Sequence, residues 1–422
     1  MDKEIIKRII REKQDEISNT KLVIRHFNLE LVANYVFIGL RRAGKSYLMY
    51  QHILNSISSG AILPEQVLYV NFEDERISSI QAKDLGLLLD AFGEMYDKKP
   101  CVFLDEIQNI DGWHKFVRRI ADSKYRVFVT GSNAKMLSKD VHTTLGGRFL
   151  FHEVFPFSFA EYLKFNNLEL RKNWIYGNER TQVIKLFSNY FYFGGFAETF
   201  VINDRRAWLN SLYHKILFGD IIVRNEIRNE NAIRMLVKKL AESVMQPMSL
   251  SRLNNSVDST GAKVSRNTLV DYLQYLSDAY LIFSISNFSD KFLEKETFKK
   301  RYFFDNGLLN IFLINRETAL LENLVAIELR KRYDEDLFFY NKNVEVDFYL
   351  PEAKMAVQVC YSLNSDIDTR KRETGALVQI AKRFEIEFFL IITKDEEETI
   401  SENSIEIQVI PVWKWLLENE LS

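Results

Sequence analysis

The sequence predicts an α/β protein whose N-terminal part is a parallel β-sheet covered by helices on both faces. Three observations favour this fold class. Short apolar runs near residues 35–38, 67–72, 101–104 and 126–130 alternate with helical stretches, which is the order of parallel strands joined by helical crossovers. A glycine-rich segment follows the first run, and two acidic residues follow the third. Because the carboxyl ends of parallel strands meet at one edge of a sheet, we expect both segments to form one site there.

The glycine-rich segment, Gly39–Ser46, has the sequence GLRRAGKS and fits the pattern G-x-x-x-x-G-K-[ST] of phosphate-binding loops. It lies between a strand-like run that ends at Ile38 and a helix-like segment that begins at Tyr47. A strand, a glycine loop and a helix are the context that this pattern requires. A solvated glycine turn with an incidental Lys-Ser pair is the alternative, and the acidic pair further along the chain argues against it.

Such a loop binds a nucleoside triphosphate because its backbone N–H groups, and those of the following helix, form a concavity for anions. Gly39 and Gly44 let the backbone approach a phosphate closely. Lys45 can reach the β- and γ-phosphates, and the hydroxyl of Ser46 can bind Mg²⁺. The residues predicted to bind the nucleotide are Gly39, Leu40, Arg41, Arg42, Ala43, Gly44, Lys45, Ser46, Tyr47 and Ser132.

The acidic pair, Asp105 and Glu106, follows four apolar residues, Cys101–Leu104, which are typical of a buried parallel strand. We expect Asp105 to hold Mg²⁺, directly or through water. Glu106 is expected to polarise the water that attacks the γ-phosphate. An ordinary surface turn is the alternative, but the position downstream of a phosphate loop favours the catalytic interpretation.

The strand predicted at Arg126–Thr130 is followed by Gly131 and then by two polar residues, Ser132 and Asn133. Polar side chains at the end of a neighbouring strand can contact the γ-phosphate or the attacking water, so both residues are candidates for sensing the nucleotide. The alternative is that they cap a helix at Ala134–Leu137. Both interpretations stay open at this point.

Composition limits the remaining possibilities. At 422 residues the chain suggests two to four domains. No apolar run approaches the length of about 18 residues that marks a membrane span, and the N-terminus predicts a charged helix at residues 3–18. Cys101 and Cys360 lie in apolar runs, which fits a reducing compartment, so we expect a cytoplasmic protein without a membrane partner. The net charge of −2 excludes a global basic field, and any nucleic-acid contact must therefore be local.

Beyond residue 160 the sequence changes character. Residues 160–240 are helical and aromatic-rich, with a turn at Gly194 and Gly195. Helix, turn, helix and strand follow between residues 250 and 285, which suggests a winged helix. The last ~120 residues return to a mixed α/β pattern.

Over nearly its whole length, the chain resembles prokaryotic AAA-type ATPases that carry a C-terminal winged helix and a restriction-endonuclease-like module. The resemblance implies a P-loop NTPase sheet, a helical lid and adenine as the base, and no guanine-specific pattern lies in a suitable place. The predicted domains are 1–160 (ATP-binding core), 161–238 (lid), 239–298 (winged helix) and 299–422 (endonuclease-like). The strings that carry the resemblance are Gly39–Ser46, Tyr69–Asp74, Leu104–Gln108, Thr130–Asn133, Gly147–Arg148, Phe155–Tyr162, Gly194–Phe196, Glu322–Ala326 and Glu345–Phe348.

The resemblance also adds Arg148 to the catalytic candidates, which are then Lys45, Glu106, Asn133 and Arg148. In similar proteins an arginine after the sensor region contacts the nucleotide phosphates, within its own subunit or from a neighbouring one. Such an arginine offsets the charge that develops on the γ-phosphate. The alternative is a surface arginine that closes a Gly-Gly turn.

We predict that the endonuclease-like module does not cut DNA. Asp347 fits the first metal-binding acid of such nucleases, and Glu328 or Glu322 offers another. The next strand has Gln358 and Cys360 where an acid and a lysine are needed. A neutral amide binds Mg²⁺ poorly, and a thiol cannot replace the cation beside the attacking water.

The sequence therefore favours an ATPase in which ATP binding orders the lid and the sensors and hydrolysis releases them. A nucleotide-dependent docking protein with little hydrolysis is the second hypothesis. The partner, whether DNA, another protein or a second copy of this chain, stays open. Polar candidates for DNA contact are Lys263, Arg266, Asn267 and Gln274, with the basic runs Lys299–Arg301 and Arg370–Arg372, for which a solvated charged surface is the alternative.

Overall fold

The structure, a computed structural model, describes residues 2–27, 29–30, 32–133, 136, 139–288 and 298–418, without the side chains of residues 139 and 335. The chain divides into two compact units. The first comprises Met1–Phe155 with the short segment Asp278–Tyr280, and the second comprises Pro156–Ser277 with Leu281–Ser422. In the described part of the chain, no helix combines the length and the apolar character needed to cross a bilayer.

The first unit is a five-stranded parallel sheet with helices between its strands, which confirms the predicted sheet. Its strands are β1 (Asn34–Ile38), β2 (Val67–Asn71), β3 (Cys101–Asp105), β4 (Arg126–Gly131) and β5 (Phe149–Glu153). Its helices are α1 (Lys3–Asn19), α2 (Lys45–Ser58), α3 (Gly86–Met95), α4 (Trp113–Asp122) and α5 (Lys139–Leu145). Single turns of 3₁₀ helix lie at Pro64–Gln66, Glu75–Ile77, Ala82–Asp84 and Ile107–Asn109.

The strand order β2-β3-β4-β1-β5 places β1 in the interior of the sheet, between β4 and β5. Strands β1, β3 and β4 are apolar on both faces because helices cover both, and their central side chains are buried. Helix α1 adds an apolar face formed by Ile6, Ile9, Ile10 and Ile17 at helical spacing. This core fixes the carboxyl ends of β1, β3 and β4 side by side.

The second unit contains the remaining elements. Its helices are α6 (Phe159–Phe165), α7 (Asn178–Phe193), α8 (Ala197–Val201), α9 (Arg205–Lys215), α10 (Glu230–Glu242), α11 (Leu250–Asp258), α12 (Arg266–Asp278), α13 (Asn306–Asn310), α14 (Glu317–Tyr333), α15 (Ile367–Ala381) and α16 (Val412–Glu418). A π-helical stretch, Ile216–Val223, continues α9, and 3₁₀ turns lie at Trp174–Tyr176 and Asp334–Asp336. Its strands are β6 (Met248–Ser249), β7 (Ile282–Asn287), β8 (Phe298–Phe303), β9 (Phe338–Asn341), β10 (Glu345–Leu350), β11 (Met355–Val359), β12 (Phe388–Thr393), β13 (Glu398–Glu402) and β14 (Ile405–Pro411).

These nine strands form one mixed sheet in the order β13-β14-β12-β11-β10-β9-β7-β8-β6. The parallel pairing of β7 with β9 joins an antiparallel strip, β6-β8-β7, to the strands that follow it in the chain. Helix α15 packs on β10 and β11 with Ala376, Leu377 and Ile380 in the apolar core of this half. The sheet therefore brings side chains of β8 and β10 into one layer although 47 residues separate Lys300 from Asp347.

Candidate active site

The loop between β1 and α2 needs glycine at two positions. Gly39 has a φ of 139°, and a Cβ there would lie 2.3 Å from the carbonyl oxygen of Val154. Gly44, the residue before α2, has a φ of 95°. Arg42 also has a positive φ, 63°, which is uncommon for a residue with a side chain. The backbone therefore turns sharply between β1 and α2. The N-terminal end of α2 faces the concave side of this loop.

Lys45 is almost completely buried and its ammonium group lies inside this loop. Its Nζ donates hydrogen bonds to the carbonyl oxygens of Gly39 and Leu40, both at 3.0 Å. The same Nζ is 4.0 Å from Oε1 of Glu106. The lysine is thus held at the position from which an ammonium group can contact phosphate oxygens that enter the loop.

Asp105 is the centre of a buried hydrogen-bond network at the end of β3. Ser46 and Tyr69 both donate to its Oδ2, at 2.8 Å and 2.6 Å, and Thr130 donates to its Oδ1. Burial and the neighbouring charge of Glu106 raise the pKa of Asp105, although these three hydrogen bonds oppose the rise. A carboxylate and a hydroxyl oxygen in contact are suitable ligands for Mg²⁺, so Ser46 and Asp105 fit the predicted metal role.

Glu106 has an uncommon backbone conformation, and neighbouring side chains hold its carboxylate in place. Its φ is 52°, and its N–H donates to Oγ1 of Thr130 at 2.9 Å. Nε2 of Gln108 donates to its Oε2 at 2.5 Å. Burial alone would raise the pKa of Glu106, but the positive charge of Lys45 and the hydrogen bond from Gln108 outweigh it, so the pKa is lowered. The carboxylate is therefore kept ionised, which is the form that accepts a proton.

Ser132 and Asn133 follow β4, which lies between β3 and β1, and both side chains are buried. Oγ of Ser132 accepts a longer hydrogen bond, 3.4 Å, from Nε2 of Gln108. Of the helix predicted at Ala134–Leu137, residues 134, 135 and 137 lie outside the described residues. The sensing role and the capping role therefore both stay predictions.

Arg148 is not brought to the loop of its own subunit. It directly precedes β5, where its Nε is 2.6 Å from Oδ1 of Asp122 and its carbonyl accepts from Asn34. Strands β1 and β5 run parallel, and their first residues, Asn34 and Phe149, lie opposite each other. Arg148 therefore lies at the amino-terminal end of these strands, whereas the loop lies at the carboxyl-terminal end of β1. The sequence leaves open whether Arg148 contacts the phosphates of its own subunit or of a neighbouring one. This arrangement favours a neighbouring subunit, and the contact stays a prediction.

Several residues of the network were missed by sequence reasoning. Tyr69, Thr130 and Gln108 contact the acidic pair, and Arg25 donates to the carbonyl oxygens of Ala43, at 3.1 Å, and Phe155, at 3.0 Å. Gln108 follows the acidic pair closely in sequence and could have been found by its position. Arg25 precedes β1 in an irregular segment and has no local signal. Tyr47, which is predicted to bind nucleotide, is exposed and lies in the first turn of α2.

The basic run Lys299–Arg301 is a candidate for DNA contact with a solvated charged surface as the alternative, and the burial of Lys300 and Arg301 fits neither interpretation. Lys300 has an exposed fraction of 0%, and that of Arg301 is 7%. Both lie on β8, a strand with neighbours on both sides in the sheet. The other basic run, Arg370–Arg372, forms ion pairs. Nη2 of Arg370 lies 2.7 Å from Oε2 of Glu398, and Nη2 of Arg372 lies 2.6 Å from Oε1 of Glu373.

The structure distinguishes between the two acids, Glu328 and Glu322, that are candidates for a place beside Asp347 in the endonuclease-like module. Glu322, rather than Glu328, shares a neighbour with Asp347, because both contact the ammonium of Lys300. Glu328 pairs with Arg332 on the same helix instead. The amide of Gln358 contacts the backbone N–H of Asp347 and the carboxylate of Glu373.

Comparison with known proteins finds two family models that match parts of the chain and relatives that match nearly all of it. Residues 33–163 match the family described as AAA domain, and residues 184–319 match a domain of unknown function, DUF8612. The uncharacterized protein MJ1544 of Methanocaldococcus jannaschii is 34% identical over 436 residues, covering 99% of this chain and 96% of that protein. An uncharacterized protein of Haemophilus influenzae is 29% identical over 91% of this chain and 94% of its own length.

Solved structures show weaker likeness. The Walker-type ATPase PABY2304 of Pyrococcus abyssi has a TM-score of 0.38 and 14% identity, over 74% of this chain and 96% of that one. AMPPCP-bound DnaA of Aquifex aeolicus has a TM-score of 0.27 and 17% identity, over 64% and 87%. These scores are too low to establish a common fold. The match to MJ1544 extends over nearly the full length of both proteins, so the chain belongs to the MJ1544 family, with an AAA domain of the P-loop ATPase type in its N-terminal part.

Proposed function

We propose that this protein binds Mg-ATP at the loop between β1 and α2 and hydrolyses it to ADP and phosphate. The observation that carries the proposal is one network in which Lys45 lies beside Glu106, Ser46 donates to Asp105, and the hydroxyl of Thr130 links the two acidic residues. Lys45 and Ser46 come from one sequence motif and the two acidic residues from another, and only the fold brings them together. Nucleotide binding alone requires the loop, whereas an ionised, oriented Glu106 favours hydrolysis.

Each residue has a defined part in this reaction. The N–H groups at the start of α2 bind phosphate oxygens, and Lys45 moves its hydrogen bonds from the carbonyls of Gly39 and Leu40 to the phosphates. A magnesium ion held by Ser46 and Asp105 would supply positive charge to the phosphates. Glu106 accepts a proton from the attacking water, and Gln108 keeps its carboxylate oriented. The catalytic contribution is positioning and electrostatic stabilisation.

The decisive experiment compares phosphate release by the wild type, Glu106→Gln and Lys45→Ala. Glu106→Gln is expected to lower the turnover rate by about a hundredfold or more, because a positioned base contributes at least that much. Its affinity for Mg-ATP, measured by isothermal titration, is expected to stay close to that of the wild type. Lys45→Ala is expected to lose binding. Equal background release by all three proteins, with unchanged binding in Glu106→Gln, would favour a docking protein with little hydrolysis.

We further propose that ATP binding and hydrolysis switch the second unit between states that bind and release DNA. The supporting observation is the element order α10, β6, α11, α12, β7 and β8, in which β8 lies between β6 and β7. Within it, α11, α12 and β7 fit the helix, turn, helix and strand that the sequence predicts for a winged helix, a domain whose second helix enters the major groove of DNA. Lys263, Arg266 and Asn267 lie at the start of α12 or just before it, where such a helix meets the bases.

Fluorescence anisotropy with a labelled duplex tests this part, with and without ATP. Phosphate-dominated binding is expected to weaken linearly with the logarithm of salt concentration. Arg266→Ala is expected to lower the affinity, whereas Arg171→Ala, an exposed arginine in the same unit, serves as the control. An absence of binding at low ionic strength would leave a protein or a second copy of the chain as the partner.

A further inference from the structure

Arg41 belongs to the loop between β1 and α2, and most of its side chain is shielded from solvent. The exposed fraction of this side chain is 16%. Its Nη1 donates a hydrogen bond to Oε1 of Glu73 at 3.0 Å. Because Glu73 follows β2 closely, the guanidinium group lies at the carboxyl-terminal edge of the sheet, on the side of the candidate active site.

Glu73 is a neighbour of the acidic pair because β2 and β3 run side by side and parallel. Asn71, the last residue of β2, lies opposite Asp105, and the N–H of Phe72 donates to the carbonyl oxygen of Asp105 at 2.9 Å. Glu73 and Glu106 are the residues that directly follow Phe72 and Asp105. The partner of Arg41 is therefore adjacent to the carboxylate that is proposed to accept a proton.

Arg41 is also close enough to Glu106 to affect its ionisation. Burial raises the pKa of Glu106, and the opposing effects come from Lys45, from the hydrogen bond of Gln108 and, after these, from the charge of Arg41. Two cations of one loop thus act on the same carboxylate. Since Glu106 has to reach the water that attacks the γ-phosphate, a guanidinium group beside it lies within reach of that phosphate.

The ion pair of Arg41 with Glu73 is of a kind that can be exchanged. The side chain of Glu73 is 44% exposed, and ion pairs that water reaches contribute little stability. A terminal phosphate offers more negative charge and more acceptor oxygens than one carboxylate, and it fits the forked guanidinium group. ADP has no γ-phosphate, so with ADP the guanidinium group keeps its pairing with Glu73.

We propose that Arg41 binds the γ-phosphate of ATP within its own subunit, and that Glu73 holds Arg41 when this phosphate is absent. The inference rests on the proposed function, because it assumes that nucleotide enters this loop. Bound in this way, Arg41 offsets the negative charge that develops during hydrolysis. The same exchange lets the loop distinguish ATP from ADP, with Glu73 and the γ-phosphate competing for one guanidinium group.

Two measurements on the full-length protein test the role of Arg41. In isothermal titration, Arg41→Ala is expected to lose about tenfold in affinity for Mg-AMPPNP, an ATP analogue that is not hydrolysed, and to keep its affinity for Mg-ADP. In phosphate-release assays, kcat is expected to fall about a thousandfold or more. Arg41→Lys keeps the charge without the fork, is expected to recover only part of both losses, and carries the test if Arg41→Ala does not fold.

Glu73→Gln separates binding of the γ-phosphate from a structural role of the ion pair. This change leaves Arg41 in place and weakens its competitor, so the affinity for Mg-AMPPNP and kcat are expected to equal or exceed those of the wild type. If the pair only shapes the loop, Glu73→Gln and Arg41→Ala are impaired alike, and that result overturns the inference. Arg76→Ala, which breaks the neighbouring pair with Asp74, is the control and is expected to behave like the wild type.

An equal mixture of Arg41→Ala and Glu106→Gln shows in which subunit Arg41 acts. No recovery of phosphate release is expected, because each site needs its own arginine and its own glutamate, and recovery overturns the inference. Unchanged AMPPNP affinity and kcat in Arg41→Ala, beside a wild type that hydrolyses ATP, overturn the inference and leave the proposed function intact. Wild-type protein that binds Mg-ATP without hydrolysis overturns the proposed function, and the ratio of AMPPNP to ADP affinity in Arg41→Ala then decides the inference by itself. Wild-type protein that binds neither nucleotide overturns both.

Discussion

Gln108 connects the acid at the end of β3 with the polar residues at the end of β4. Its Nε2 donates to Glu106 and, over a longer distance, to Ser132, while Lys45 faces the other carboxylate oxygen of Glu106. Both oxygens of Glu106 therefore have partners. In the proposed reaction, in which Lys45 turns toward a phosphate, Gln108 is the group that still orients Glu106.

Gln108→Leu is expected to lower kcat about tenfold or more, because a hydrogen bond to a charged group contributes about 1.5–3 kcal/mol. The KM for ATP is expected to change little, since Gln108 does not contact the loop. Steady-state kinetics of phosphate release measure both quantities. Gln108→Asn, which keeps the amide on a shorter side chain, is expected to recover part of the rate. A raised KM with an unchanged kcat would show that Gln108 acts in binding and not in positioning Glu106.

At the same scale, sequence reasoning identified contiguous motifs and missed their partners. The loop and the acidic pair have fixed local spacing, so Lys45, Ser46, Asp105 and Glu106 could be predicted directly. Tyr69 and Thr130 reach Asp105 only through the register of β2, β3 and β4, which a single sequence does not contain. Lys300 shows the opposite failure, because a basic run is normally solvated and here enters a buried sheet.

The shape of the loop between β1 and α2 depends on Gly39. The backbone at Gly39 passes so close to Val154 that a methyl group cannot be placed between them. Gly39→Ala is expected to abolish ATP binding and to destabilise the first unit by more than about 1 kcal/mol, because φ at this position is also positive. Titration calorimetry and urea unfolding measure the two effects.

Gly93→Ala is the matched control, since Gly93 lies in α3 and a Cβ there meets nothing within 4 Å. This change is expected to leave ATP binding intact and to stabilise the protein by about 0.5–1 kcal/mol, as alanine does in helices. Equal effects of the two substitutions would contradict the steric argument.

The side chain of Asp305 links the Gly194-Gly195 turn to the start of α13. Asp305 is buried, and its carboxylate accepts from the N–H groups of Gly195, at 2.8 Å, and Leu308, at 3.1 Å. Burial raises the pKa of Asp305 to about 6, although these hydrogen bonds oppose the rise. A carboxyl group with a raised pKa binds its proton more tightly in the folded state, so its contribution to stability increases as pH falls through 6.

Asp305→Asn removes this titration. The free energy of unfolding of the wild type, relative to that of Asp305→Asn, is expected to increase by about 1 kcal/mol between pH 7 and pH 5. Urea unfolding at both pH values measures the difference. Asp204→Asn offers a comparison, because Asp204 also caps a helix but is exposed. A wild-type minus mutant difference that stays constant or falls toward pH 5 would contradict the raised pKa.

At the scale of the whole molecule, the fold class and the parallel sheet were predicted because hydrophobic periodicity and helix–strand alternation are local signals. The nine-stranded sheet of the second unit was not predicted. Its continuity depends on the pairing of β7 with β9, across a connection whose described part includes β8 and the helices α13 and α14. Such long-range pairing has no signature in composition or periodicity. The proximity of β8 and β10 could therefore not be predicted from the sequence.

The role of Arg148 belongs to the same scale, because it requires two subunits. Arg148→Ala and Glu106→Gln are each expected to be nearly inactive alone. In an equal mixture, a Glu106→Gln subunit supplies its arginine to a neighbouring Arg148→Ala site, so about a quarter of the sites are expected to recover in a head-to-tail assembly. Phosphate release by the mixture measures this. Arg118→Ala, which removes another arginine beside Asp122, is the control, and no recovery in the mixture would contradict action between subunits.

The position of Arg148 at the far edge of the first sheet also constrains how copies of the chain can associate. If each copy completes the pocket of another, the surface that donates Arg148 differs from the surface that receives it. A two-fold pair satisfies both members only when one interface contains both surfaces, whereas copies that follow one another in a single direction satisfy all members only in a closed ring. Turnover per molecule would accordingly fall on dilution, even at saturating ATP.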